Sequence, residues 1–383
     1  MTFVGLTWDH PRGYDALEEA ARRANAGRNK PLICWEKQPL EGFESAPITD
    51  LAARHDLLVL DHPHIGEAVA DDCLIPLEEL FDADRIEVWR VNSIGSSLAS
   101  YHWQGRTYAL PLDVATQVMA RRLDVVGAPP ATWDEVEELA VKYPVALSLG
   151  GPHAILSLIS FAAGAGQIIG GEEMLPDKVA LPALENLQRI FDHAPRGSET
   201  LNPIQLLETM ARSEEIVFVP LIFGYVTYAQ PGYAPHRLSF SDTIRAPGGY
   251  GGVLGGTGVG ISRRTTPTQD LLDHVAWLMD LRTQTEFLPA HGGQPSASVA
   301  WVDLEVNVAS GNFYAETVAT AETALLRPRF DGYIAFQTRA SDVLRSAFAE
   351  RRDPEKTLNH IRTLWRDARQ FARGELDDKR MNS

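Results

Sequence analysis

Short apolar strands alternate with helix-periodic segments through the first third of the chain, and this order constrains the fold more than any other feature. Residues 3–8 (Phe-Val-Gly-Leu-Thr-Trp) read as a strand and residues 14–26 carry helical periodicity. Residues 32–36 read as the next strand, residues 48–54 as a short helix, and residues 56–61 as a strongly apolar strand ending in Asp61. Such alternation predicts a parallel sheet covered by helices.

Further along, residues 105–113 read as an extended segment running into a second strand over 115–121. Pro129-Pro130 stops any preceding element, and Thr132-Trp133-Asp134-Glu135 opens a helix in which Thr132 and Glu135 are spaced as a capping box. Residues 145–149 and 216–223 read as further apolar strands. A glycine-dense stretch over 248–260 leads into Ile261-Ser262, and the remainder reads as helical near 267–288, 315–325, 333–351 and 354–372. A chain of 383 residues exceeds one comfortable core, so two domains are expected.

Charge removes whole classes of function. Lys plus Arg number 35 against 51 Asp plus Glu, a formal net charge of -16, which leaves no basic face for nucleic acid or an anionic membrane surface. No run approaches the roughly 20 apolar residues of a membrane span. The two cysteines, Cys34 and Cys73, sit beside apolar runs and read as buried free thiols. The opening residues read as a strand and not as a basic segment followed by a long apolar core. The chain as written is therefore expected in the cytoplasm, or in the periplasm or outside the cell if an export signal was removed.

In open α/β sheets ligands meet the loops beyond the carboxyl ends of strands. Those ends carry Trp8-Asp9-His10, Trp35-Glu36 and Asp61-His62-Pro63-His64. An aromatic plate beside carboxylates suits a sugar, whose C–H face stacks while its hydroxyls donate. Each residue also has a structural reading: Trp8 and Trp35 as lids on a core, Asp9 as a helix cap, Glu36 as a surface partner of Lys37 or Arg12. Asp61 is the foremost candidate, and its removal is expected to weaken ligand binding with little effect on the ligand-free fold. His62-x-His64 lacks the companion spacing of a zinc site, so no metal is assigned.

The second half contributes Asp113 (alternatively a hinge hydrogen bond), His153, Phe223 and Tyr225. The backbone of Gly255 and Gly256 joins them, with Trp301 or Tyr314 as an aromatic closing one side. The glycine stretch has no Gly-Lys-Ser/Thr, and a strand follows Gly256-Thr257-Gly258-Val259-Gly260, so neither a phosphate loop nor a dinucleotide fingerprint is present. No cofactor is expected. No nucleophile elbow, His-Glu-x-x-His or kinase signature occurs, which favours binding over catalysis.

Four segments in order carry a family resemblance: Gly5-Leu6-Thr7-Trp8 before a helix; Asp56 to Asp61 leading through Ile65-Gly66 to Leu74-Ile75-Pro76-Leu77; Gly105 to Pro111 followed by Pro129 to Glu135; and Gly252 to Ser262 before a long helix. This series resembles the extracellular solute-binding proteins of carbohydrate ABC transporters, the maltose-binding-like group. The resemblance implies an α/β, two-lobed periplasmic-binding-protein-like (type II) fold with a ligand cleft between lobes joined by crossing strands. Residues 1–111 plus 247–297 would form one lobe and residues 112–246 plus 298–383 the other.

It implies a monomer that closes by a hinge over a sugar or polyol, with membrane subunits of an ABC transporter as partner. The hinge would lie at residues 110–112, 243–246 and 295–298. The alternative is a cytoplasmic enzyme or ligand sensor on the same scaffold, working through the cleft carboxylates and histidines.

Overall fold

The computed structural model describes residues 2–374. Its main sheet is built from β1 (Phe3–Trp8), β2 (Ile33–Gln38), β3 (Leu57–Leu60), β4 (Leu110–Arg122), β5 (Phe218–Phe223), β6 (Leu238–Ser241) and β7 (Leu254–Ile261). The strand order is β2-β1-β3-β7-β4-β5, with β6 also on β4. β1 runs parallel to β2 and β3, as the opening alternation predicts. β7 is antiparallel to β3 and β4, and β5 and β6 are antiparallel to β4.

β4 organises the molecule. Its first half, through Thr116, pairs with β7; its second half, from Gln117, pairs with β5 and β6. All 13 of its residues are buried. The sequence reads here as an extended segment over 105–113 running into a strand over 115–121, and the structure joins them as one strand from Leu110 to Arg122. Proline lacks only a donor, and Pro111 lies near the strand's start.

Helices pack on both halves: α1 (Pro11–Asn25), α2 (Leu40–Ser45), α3 (Trp133–Lys142), α4 (His153–Gly164), α5 (Asp177–Phe191), α6 (Pro203–Arg212), α7 (Gln269–Leu278), α8 (Tyr333–Glu350) and α9 (Pro354–Ala372). In α1, Ala16, Leu17, Ala20 and Ala21 recur at helical spacing on the buried face, while Arg22 and Arg23 complement the dipole in the last turn. Its cap is His10, whose ring accepts from the Arg12 amide; Asp9 does not cap it. Thr132 caps α3 as expected, but Glu135 reaches back to the Ala131 amide, one residue beyond the reciprocal box. A full capping box forms instead at α6, between Asn202 and Gln205.

Other expectations shift. The helix expected over 267–288 ends at Leu278, a wider turn follows at Thr283–Phe287, and the one expected over 315–325 covers Val318–Thr323. Residues 145–149 contribute a single bridge, Val145 to Phe218, in place of a strand. Cys73 is buried, whereas Cys34 lies exposed on the edge strand β2; both are free.

One large core cluster gathers around the second half of β4 with α4, α5, α6, α8 and α9. Three smaller ones fill the spaces around β1, β2, β3 and β7. The polar residues between these two bodies of core define the site.

Candidate functional site

Trp8 ends β1, and Gly13 in the first turn of α1 makes room for its ring: a Cβ on Gly13 would come within 2.4 Å of the indole. Trp8 is buried and lies against Phe43 of α2, with centroids 5.2 Å apart. One turn along, Arg12 turns inward. Its Nε donates to Asp113 Oδ2 at 2.9 Å, Nη2 donates to Oδ1, and Nη1 donates to the Gly224 carbonyl at 3.1 Å. Its guanidinium lies 4.4 Å from the Tyr225 ring centroid. Burial disfavours the Arg12 charge, but Asp113 outweighs it and the guanidinium is held more firmly protonated than usual.

A second arginine–carboxylate pair forms at the end of β3. Asp61 accepts from the His62 amide at 2.8 Å, and Arg327 Nη2 reaches its two oxygens at 2.6 and 2.5 Å. Arg327 Nε also donates to the Leu254 carbonyl at 3.0 Å. Burial pushes the Asp61 carboxyl up, yet the Arg327 charge and the His62 side chain hold it well below the usual carboxylate range. A third polar contact spans the cleft: His153, the first residue of α4, places Nε2 2.9 Å from Glu44 Oε1 of α2. The His153 ring meets Phe223 edge-on at 5.7 Å.

These groups surround a partly open cavity of about 40 Å³. Its walls include Trp8, Arg12 and Asp61 on one side and His153, Phe223 and Tyr225 on the other, with Gly255 and Gly256 at the back. Gly256 requires glycine, since its φ is +95° and a Cβ would lie 2.3 Å from the Asp113 carbonyl. Larger grooves occur, one of about 820 Å³ between Glu67 and Tyr333 and one of about 330 Å³ between α5 and α8. The small cavity sits at the carboxyl ends of β1, β3 and β5, where α/β sheets present ligand groups.

The residues singled out from sequence divide accordingly. Trp8, Asp61, His153, Phe223, Tyr225, Gly255 and Gly256 line the cavity. Asp113 lies just behind it, bound to Arg12. Asp9 points to solvent and pairs with Lys37 at 2.8 Å; Glu36 is exposed and faces His55 at 3.2 Å. Both residues lie beyond the rim, because the edge strand β2 and the turn after β1 direct these side chains outward. Trp35 is half-buried, its ring spread over Gly5 on the sheet face.

His10 caps α1 and packs on Tyr225 and Tyr228; burial and the Arg12 charge push its pKa down to about 3. His62 and His64 are buried beside Asp61, and burial and then Arg327 lower His62 to about 4. Trp301 and Tyr314 are core residues packed on each other, donating to the Pro295 and Gly293 carbonyls.

Sequence reading missed Arg12, Phe43, Glu44 and Arg327. The readable hint for Arg327 is an arginine set among apolar residues and followed by proline (Leu325-Leu326-Arg327-Pro328). Arg12 reads as a surface partner of Glu36 until the fold turns it onto Asp113.

The fold is shared with two-lobed solute-binding proteins. Residues 44–189 match the family model described as bacterial extracellular solute-binding protein. Solved structures of this class superpose along almost the whole chain. An ABC transporter solute-binding protein from Agrobacterium radiobacter in complex with ribitol has a TM-score of 0.79 at 18% identity, covering 96% of this chain and 98% of that one. A maltose-bound protein of T. maritima has a TM-score of 0.76 at 17% identity, covering 94% and 98%. One from Agrobacterium vitis with bound D-mannitol has a TM-score of 0.74 at 14% identity, covering 97% and 98%. No helix among the described residues is long and apolar enough to cross a membrane.

Proposed function

We propose that this chain binds a small polar solute, a sugar or polyol, between its two lobes and serves as the substrate-binding component of an ABC-type transporter outside the cytoplasmic membrane. The observation that carries this reading is a cavity at the strand ends whose walls come from both sides of the crossing strand β4. The ribitol-, mannitol- and maltose-bound proteins of the same fold support the ligand class.

The packing supports a lobe limit near residue 111. Leu110 and Leu112 belong to core clusters around β1 and β3, whereas Val114 and Ala115 belong to the large cluster beyond. Closure then follows population-shift logic. Ligand groups that touch both lobes bind the closed state more tightly than the open one, and that difference alone moves the equilibrium.

Catalysis by the cleft carboxylates is disfavoured by their partners. Asp61 and Asp113 are each committed to a buried arginine, so neither is free to exchange a proton with substrate.

A thermal-shift panel of sugars, polyols, amino acids and polyamines tests the reading. A ligand at about 100 times its Kd adds roughly 2.7 kcal/mol of stability. A sugar or polyol that raises the midpoint and is recovered unchanged after incubation is the expected result. A ligand consumed during incubation, or a polyhydroxy series with no shift at all, would count against it.

A further inference from the structure

We infer that the cleft selects an electrically neutral, monosaccharide-sized polyhydroxy solute and rejects both charged analogues of that size and oligosaccharides; this rests on the solute-binding reading above. Three observations carry it.

The first is charge. The charged side chains lining the cavity each face a partner within the protein: Asp61 holds Arg327, Arg12 holds Asp113 behind the wall, and Glu44 faces His153. An anion entering beside Arg12 or Arg327 would have to compete with a bound carboxylate, and a cation would have to compete with the guanidinium at Asp61 or with the His153 ring at Glu44. A charged solute would therefore be dehydrated without gaining a free partner.

The second is the set of groups left over. Trp8 Nε1, Thr257 Oγ1 and His153 Nδ1 are buried on cavity-lining residues and lack a hydrogen-bond partner. The set contains a donor-only indole N–H, a hydroxyl able to donate and accept, and an imidazole nitrogen. Hydroxyl groups satisfy all three types at once.

The third is enclosure. On one side Glu44 meets His153 at 2.9 Å, and Asn202 donates to Glu41 at 3.1 Å nearby. On another, Arg327 locks onto Asp61, and Gly66 packs so closely on the Arg329 carbonyl that a Cβ would lie 1.6 Å from its oxygen. The groove of about 820 Å³ begins beyond that partition, at Phe330 and Tyr333, and the cavity itself holds about 40 Å³, room for a few waters at about 10–15 Å³ each. A modest parting of the lobes admits a single sugar-sized unit, whereas a longer chain would have to break both partitions.

Isothermal titration of the full chain decides the matter, with ribitol, D-mannitol, glucose, gluconate, glucosamine, maltose and maltotriose as probes. At least one of the neutral single units binds, maltotriose binds it about a hundredfold or more weakly, and the charged analogues at least about tenfold more weakly. Maltotriose within tenfold of the best single unit would overturn the size selection, and a preferred gluconate or glucosamine would overturn the neutrality; in both cases solute binding itself would stand. No heat from any probe, together with no thermal shift, would overturn the solute-binding reading and this inference with it.

Discussion

Arg327 and Asp61 stand 266 residues apart in sequence, yet a single guanidinium nitrogen lies within hydrogen-bond distance of both carboxylate oxygens at the mouth of β3. The pair joins a strand of the first half to a segment just before α8. Asp61 therefore has a partner within the protein, and the pairing argues against the expectation that it can be removed without harm to the ligand-free fold.

Asp61→Ala leaves the guanidinium of Arg327 buried with only a carbonyl and the distant Gln337 oxygen at 3.4 Å. Breaking a buried pair by removing one partner costs about 3–5 kcal/mol. Chemical denaturation of the ligand-free protein should show a loss of about 3 kcal/mol. The double change Asp61→Ala with Arg327→Met should recover part of it, because no unpaired charge remains. A single variant as stable as wild type would return Asp61 to a purely ligand-facing role.

The two glycines at the back of the cavity should separate stability from affinity. Gly256→Ala forces a side chain onto a φ of +95° and into the Asp113 backbone, a strain of about 1–3 kcal/mol. At Gly255 the obstruction is the Phe223 ring, 2.5 Å from the new methyl, and a ring can move. Gly255→Ala should therefore cost less stability but displace Phe223 toward the cavity and weaken ligand binding. Paired melting and titration measurements check this; equal stability losses at the two positions would contradict it.

Much of the fold was legible because its signals are local. The apolar runs at residues 3–8, 57–60 and 218–223 each announce a strand, and the strand-end rule then reaches Trp8, Asp61, Phe223 and Tyr225 unaided. What stayed hidden depends on distant pairing. Arg12 finds Asp113 across 101 residues, and nothing near either residue marks the other. The same limit explains Asp9 and Glu36: a strand end fixes which residues lie near the cleft, but the final turn of the backbone decides whether a side chain enters it. Trp301 and Tyr314 failed for another reason, since an aromatic in an irregular stretch looks the same in sequence whether it covers a ligand or fills a core.

Asp9→Asn and Glu36→Gln test that distinction directly. Both carboxylates are more than half exposed; Asp9 forms a surface ion pair with Lys37, a kind that contributes about 0–1 kcal/mol, and Glu36 faces the His55 ring. Ligand affinity should change less than about twofold in either variant, with stability within about 0.5 kcal/mol of wild type. A tenfold loss of affinity at either position by titration would place it in the site after all.

The response to pH pits buried histidines against a half-buried carboxyl. Burial, followed by neighbouring arginines, lowers His10 to about 3 and His62 to about 4, so the stability they contribute is present above their ordinary value near 6.5 and is lost as pH falls through these lowered values. Glu67 has the opposite sign. Burial, then Asp331, Asp71 and Asp50, raises it to about 7 against the pull of the Ile48 amide, so its contribution is full below about 4.5 and is lost as pH rises through about 7. Across that shared window the histidines make stability climb with pH while Glu67 blunts the climb. Glu67→Gln keeps an oxygen for the Ile48 amide, which lies 3.0 Å away, but has no proton to lose. Its stability should match wild type near pH 4 and exceed it at pH 7.5, with a steeper rise between, as read by denaturant titration at each pH. A constant difference between the two proteins across the series would show that the Glu67 carboxyl titrates at its ordinary value in the folded state.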